Sequence, residues 1–170
     1  MEPFASPHNL DSQLHSFLGE ASSNLCDWLA DSSNQRPIPG SFELPEVAPS
    51  KKGVSNEALL SELQILMKGA YRPAHPRALA HLDPPPLSAS IVGELICAGL
   101  NNNLLAEELS PSLSSLERKL CKWFCEKLGF GNLSGGVAAS GGSLSNLMAL
   151  VIARNIAGLE SDPNAVFFAS

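Results

Sequence analysis

The adjacent glycines Gly141 and Gly142 constrain the fold of this chain more than any other feature. They end a run of small residues and are followed at once by a helix-forming apolar pattern that starts at Ser143. The first turn of a helix carries backbone N–H groups without partners and the positive end of the helix dipole. Because glycine lets an anion approach the backbone closely, the stretch predicts a phosphate site. The alternative is an ordinary glycine turn before a helix, since a lone Gly-Gly-Ser is a weak signal.

Composition narrows the class of protein. A length of 170 residues suits one domain or part of a larger one, and an apolar share of 44% is that of a globular protein. The net charge of −6, without a basic stripe, argues against nucleic acid as a partner. No stretch approaches the ~20 apolar residues that span a bilayer. The N-terminus lacks the basic and apolar regions of a secretory signal, so a cytoplasmic location is expected.

The four cysteines do not form a metal-binding pattern. Cys26, Cys97, Cys121 and Cys125 include no Cys-x-x-Cys pair, and no histidine lies near the last two in sequence. We therefore expect reduced thiols packed as small apolar groups, and no metal site.

Helical patterns run along most of the chain. Ser55 offers an N-cap for a helix that ends at Gly69, and a helix of small and apolar residues is expected from about Ser88 to Leu100. Ser110-Pro111 predicts a helix start with Ser110 as the cap, and Gly129 closes that helix. The last helix is expected from about Ser143 to Ala157, with Gly158 as its stop.

Residues 1–54 are expected to form an N-terminal arm and linker. Apolar residues between Leu14 and Leu29 have helical spacing, and the prolines that follow keep the chain extended. Such an arm would need another surface to lie on. The alternative is a partly disordered tail.

Two short segments have strand character. Val137–Ser140 leads into the glycine pair, and Ala165–Ala169 is a buried-strand pattern that follows the last helix. A strand, a helix and a second apolar strand open a βαβ unit, and parallel sheets need several strands and cover on both faces. The fold class is therefore expected to be α/β, mostly helical in this chain, with residues 55–170 forming the start of a domain whose remainder is absent.

Several motifs resemble one enzyme family when they are taken in order. They are His75-Pro76-Arg77, Leu82-Asp83-Pro84-Pro85-Pro86, Ser110-Pro111, Leu116-Glu117, Gly135-Gly136-Val137, Ser140-Gly141-Gly142-Ser143-Leu144-Ser145-Asn146-Leu147-Met148-Ala149-Leu150 and Ala153-Arg154. The family that they resemble is the group II amino-acid decarboxylases, which use pyridoxal phosphate. Within this family, the sequence at His75-Pro76-Arg77 and Ala80-His81-Leu82 is most similar to that of the bacterial diaminobutyrate decarboxylases.

This resemblance implies a fold-type I architecture, an obligate homodimer and a pyridoxal phosphate site. It implies that Gly142 and Ser143 hold the cofactor phosphate through backbone N–H groups, with Gly141 shaping the turn. His81 and Pro84 would border the substrate, and Leu105 would reach toward the active site of the partner subunit. Pro84 replaces the hydroxyl residue common in the aromatic-amino-acid enzymes, which argues against an aromatic substrate. A histidine bonded only to backbone or water is the alternative for His81.

The resemblance also places the ring-stacking histidine, the carboxylate and the covalent lysine of the family after the phosphate loop. All six lysines of this chain precede that loop, so no catalytic residue is assigned. We expect part of an amino-acid decarboxylase that is inactive alone. The alternatives are a non-catalytic module that docks on a full-length relative, and a stand-alone anion-binding α/β domain unrelated to the cofactor.

Overall fold

Five α-helices supply the regular structure in this computed structural model, which describes residues 4–46, 48, 51–79, 82 and 84–166. The helices are α1 (Ser12–Ala30), α2 (Asn56–Lys68), α3 (Ser88–Leu100), α4 (Pro111–Lys127) and α5 (Gly142–Ile156). Short 3₁₀ turns occur at Ser32–Asn34 and Glu107–Leu109. The helix positions predicted from capping residues and apolar spacing are confirmed to within one or two residues.

Local capping explains where the helices begin and end. The carboxylate of Asp11 accepts from the Leu14 N–H at 2.9 Å and starts α1, and the Ser55 hydroxyl accepts from the Ala58 N–H at 3.2 Å and starts α2. Gly129 and Gly158 adopt φ of 78° and 68° just after α4 and α5. These left-handed positions favour glycine and stop a helix.

The predicted N-cap position of Ser110 is confirmed, but its side chain does not cap the helix. Ser110 occupies the N-cap position of α4, and its carbonyl accepts from the Ser114 N–H at 2.9 Å. Its hydroxyl makes no capping bond and instead donates to the Asn102 side chain. The preceding loop therefore competes successfully for a hydroxyl that the helix could have used.

The expected strands are absent from the described residues. Residues 137–140 are irregular, as are Ala165 and Val166, while 167–170 lie outside the described part of the chain. A strand exists only when another strand accepts and donates its backbone hydrogen bonds. Between residues 84 and 166 no second strand is present to pair with residues 137–140. The α/β prediction is thus correct for the helices and wrong for the strand at 137–140.

Residues 1–96 form one compact unit, in which α1 packs on α2. The linker after α1 folds back over this pair, because the ring of Phe42 packs against Gly69 and the Arg72 N–H donates to the Pro37 carbonyl at 3.0 Å. A methyl group at Gly69 would lie 2.8 Å from the Phe42 ring, so a larger residue there requires this half-exposed ring to move. The predicted helix of the arm is confirmed. A domain boundary after residue 54 stays a prediction.

Residues 97–170 form the second unit, in which α4 contacts the turn at Glu107–Leu109. α5 follows α4 after an irregular loop. No helix among the described residues has the length and apolar character that a bilayer crossing requires.

Very little apolar surface is buried. Leu60 is the one buried large apolar side chain among the described residues. The chain exposes 14280 Å², whereas two separate compact units of this combined mass would expose roughly 10,000 Å². The apolar faces of α3 and α5 are exposed, so these helices present surface that ordinarily belongs to a core.

Candidate functional site

The N-terminus of α5 has the properties of an anion site. Gly141 is the N-cap residue, in an extended conformation, and no side chain caps the helix. The first bond of the helix runs from the Ser145 N–H to the Gly141 carbonyl at 3.0 Å. Within the described residues, the N–H groups of Gly142, Ser143 and Leu144 therefore have no acceptor. Three such groups at the positive end of a 15-residue helix attract negative charge.

The residues at the start of α5 are exposed, so a ligand can reach this end of the helix. An ideal methyl group built on Gly141 or Gly142 meets no atom within 4 Å, and Ser143 is exposed. The first turn carries no acidic side chain that would repel an anion. The Ser143 hydroxyl is close enough in sequence to add a contact, while the Ser145 hydroxyl already donates to the Gly141 carbonyl at 3.1 Å. These residues fit a phosphate group.

Helix α4 holds the loop that leads into this site. The Ala138 N–H donates to the Glu117 carboxylate at 3.0 Å, and the Cys125 thiol lies 3.6 Å from the Gly135 carbonyl. Gly136 lies against Cys121, where an added methyl would sit 3.4 Å from its Cβ. Side-chain contacts to α4 thus position residues 135–138 without strand pairing.

The structure describes two of the three residues that were predicted to border the substrate. Leu105 is 84% exposed in the loop between α3 and α4, and no described hydrogen bond joins that loop to residues 141–143. Pro84 is exposed ahead of α3, in the other unit. His81 lies outside the described residues. Their roles toward a substrate therefore stay predictions, as does the phosphate role of Gly141–Ser143.

Sequence reasoning missed Asn102. Its side chain makes three hydrogen bonds that hold the loop around Leu105. The available signal was an asparagine run a few residues before Ser110-Pro111, because asparagine side chains bond backbone groups nearby in the chain.

The expectation that all four cysteines pack as small apolar groups is wrong for Cys26 and Cys97, which are exposed, whereas Cys121 and Cys125 are half-buried. All four cysteines are free. Across the described stretches, no three His, Cys, Asp or Glu side chains come together as metal ligands.

Comparison with known proteins identifies relatives of the chain. It is 31% identical over 146 residues to L-2,4-diaminobutyrate decarboxylase of Acinetobacter baumannii, an alignment that covers 82% of this chain and 28% of that protein. It is 26% identical over 138 residues to cysteine sulfinic acid decarboxylase of Rattus norvegicus, covering 79% of this chain and 26% of that protein. No protein-family model matches.

The fold is shared with a solved structure. The crystal structure of mouse CSAD superposes with a TM-score of 0.77 and 20% identity, over 93% of this chain and 34% of that one. The chain thus spans about a quarter to a third of the length of the proteins it matches. The relatives are group II amino-acid decarboxylases, which depend on pyridoxal phosphate.

Proposed function

Because this chain belongs by homology to the group II pyridoxal-phosphate-dependent amino-acid decarboxylases, we propose that it supplies the phosphate seat of the cofactor in such an enzyme. The observation that carries the proposal is the uncapped N-terminus of α5, where three exposed residues have N–H groups without an acceptor among the described residues. The sequence resemblance implies that the cofactor phosphate binds at these residues, and the uncapped helix start supports the same proposal.

Each residue of the proposed phosphate site has a defined role in binding the phosphate. The backbone N–H groups of Gly142 and Ser143 bind phosphate oxygens, the Ser143 hydroxyl donates one further bond, and Gly141 keeps side-chain atoms out of the seat. When bound, pyridoxal phosphate supplies an electron sink for the charge left by loss of carbon dioxide. The family's covalent lysine has no counterpart among residues 143–170. The chain by itself therefore binds cofactor phosphate without releasing carbon dioxide.

The finer features of the family belong to the same proposal. They are the fold-type I architecture, the homodimer and a cytoplasmic location, and the four free thiols suit a reducing compartment. The substrate is an amino acid, and the named relatives act on chemically different ones. Leu105, Pro84 and His81 border it, and the proline at 84 disfavours an aromatic substrate.

Titration with two forms of the cofactor tests the seat. Pyridoxal 5′-phosphate is compared with pyridoxal, which lacks the phosphate, by equilibrium dialysis against the full chain. We expect binding of the phosphorylated form only, and loss of about tenfold in affinity in Gly142→Ala, because the proposal requires a residue without a side chain where the phosphate approaches the backbone. Gly19→Ala, within α1 and with equally open surroundings, is the matched control. Equal binding of both forms would contradict the proposal.

A second function is favoured by the exposed apolar helix faces. The chain would then be a non-catalytic module that docks on a full-length decarboxylase through surfaces such as Ile96 on α3 and Ile156 on α5, which are 56% and 83% exposed. Gel filtration with the Acinetobacter baumannii diaminobutyrate decarboxylase tests it. Co-elution supports docking, and separate elution of the two proteins rules it out.

A further inference from the structure

The loop between α3 and α4 has an unusual backbone. Asn101 and Leu104 have φ of 44° and 52°, in the left-handed region that favours glycine. Asparagine tolerates this region, whereas leucine does so at a cost. Two such residues within four positions require an interaction that holds the loop in this shape.

The Asn102 carboxamide provides that interaction. Its Oδ1 accepts from the Leu104 N–H at 2.9 Å and from the Ser110 hydroxyl, while its Nδ2 donates to the Leu109 carbonyl at 3.0 Å. One side chain thus fixes the strained residue and closes the loop onto the start of α4. Ser110 is only 2% exposed, so water does not compete readily for its hydroxyl.

A second connection from the loop to α4 is weaker. Arg118 donates two bonds to the Glu107 carboxylate, at 3.0 and 2.5 Å, and this ion pair lowers the pKa of Glu107. Both side chains are more than half exposed, and exposed ion pairs contribute little to stability. Asn102 is therefore the main determinant of the loop's shape.

The shape of the loop separates two neighbouring leucines. Leu104 lines an apolar groove of about 410 Å³ together with Leu100 of α3 and Leu113, Leu116 and Leu120 of α4. Leu105 is 84% exposed, and its N–H donates to the Asn103 side chain at 3.0 Å. The positive φ at Leu104 thus directs one leucine to the groove and the next to solvent.

We propose that Asn102 is a positioning residue that sets the direction in which Leu105 is presented to the amino-acid substrate. This inference rests on the proposed function for the role of Leu105, and on the hydrogen bonds alone for the role of Asn102. Asn102 acts through the loop and does not itself touch the substrate.

Hydrogen exchange on the full chain tests the loop. In Asn102→Ala we expect the amides of residues 103–109 to exchange about tenfold faster, with exchange in α5 unchanged. Asn102→Asp retains an acceptor for the Leu104 N–H but loses the donor to Leu109, so its rates fall between those of Asn102→Ala and the parent. Asn132→Ala and Asn132→Asp, at an exposed position of the same unit, are the matched controls. Unchanged loop rates in Asn102→Ala would overturn the proposal.

Methyl NMR separates this inference from the proposed function. The Leu105 methyl resonances of the chain with pyridoxal phosphate are followed as diaminobutyrate or cysteine sulfinate is added. We expect a shift in the parent chain, a loss of that shift in Asn102→Ala and its retention in Asn132→Ala. If the parent shows no shift while the loop still loosens in Asn102→Ala, the substrate role of Leu105 is wrong and only the loop-ordering role of Asn102 stands.

Discussion

Arg72 makes two different contacts with Trp28 in the first unit. It is 6% exposed, its Nη1 donates to the Trp28 carbonyl at 2.7 Å, and its guanidinium lies 4.8 Å from the centroid of the Trp28 ring. The indole N–H of Trp28 is buried without an acceptor among the described residues. A planar cation that lies over the ring and also donates a hydrogen bond therefore joins the end of α1 to the segment that follows α2.

Replacement of Arg72 tests this interaction. We expect Arg72→Ala to lower the stability of the first unit by about 2 kcal/mol, because a charge-assisted hydrogen bond and a ring contact are lost together. Arg72→Lys keeps the charge but loses the planar stack, so about half of that loss is expected. Hydrogen exchange of the backbone amides at the end of α1 measures both, because it reports local opening and does not require a cooperative global transition. Arg36→Ala, at an exposed arginine of the same region, is the control, and an equal loss there would refute the assignment.

For single residues, the sequence was informative where the residue acts on its immediate neighbours in the chain. The glycine pair was identifiable as the start of a helix, because the conformational freedom of glycine and a helix start both depend on a few adjacent residues. Arg72 and Asn102 were not identified, because their value depends on partners 44 and 8 positions away in the chain. Nothing in the local pattern distinguishes a buried arginine from a solvated one.

At the scale of the element, helix α1 depends on a titratable cap. The Leu14 N–H hydrogen bond lowers the pKa of the Asp11 carboxylate below its ordinary value. A lowered pKa means that the folded helix favours the charged form. The stabilisation is therefore present above the unfolded value of about 3.9 and is lost as pH falls through the lower folded value.

An acid titration checks the cap. We expect the Leu14 amide to lose protection, and α1 to fray, as pH falls from about 5 to about 2. Asp11→Asn keeps a good N-cap that does not titrate, so its Leu14 amide is expected to show no such change. The measurement is the NMR chemical shift of that amide against pH. An identical pH response in Asp11→Asn would contradict the prediction.

The sequence pattern predicted the bounds of the helices but not the absence of the strand. Helix bounds followed from Ser55, Gly69, Gly129 and Gly158, since caps and stops act within one turn. The strand expected at 137–140 failed, because strand character is fulfilled only by a distant partner. The Ala138 N–H bonds to the Glu117 side chain instead, a pairing across 21 positions that no local pattern encodes.

For the whole molecule, exposed apolar surface is the dominant property. Several large apolar side chains of α3 and α5 are at least half exposed, namely Val92, Leu95, Ile96, Leu100, Leu147, Ile152 and Ile156. Burial of apolar surface stabilises a fold by about 25 cal/mol per Å², so each side chain that stays in water forgoes on the order of 1 kcal/mol of folding free energy. Leu60 is the single large apolar side chain that is buried in the part of the chain that the structure describes, so packing adds little to the stability of either unit.

We therefore expect the isolated chain to bind the dye ANS, to self-associate at micromolar concentration and to melt without a sharp cooperative transition. Ile156→Lys removes a large apolar side chain that is 83% exposed, so it should reduce association without changing helix content, because no core contact is lost. Lys122→Ala, at an exposed charge on α4, is the comparison for a change in surface charge. Light scattering after gel filtration and calorimetry measure these properties. A monomer with a sharp melt would mean that the exposed faces need no cover, which would remove the physical reason for expecting the chain to work within a larger decarboxylase.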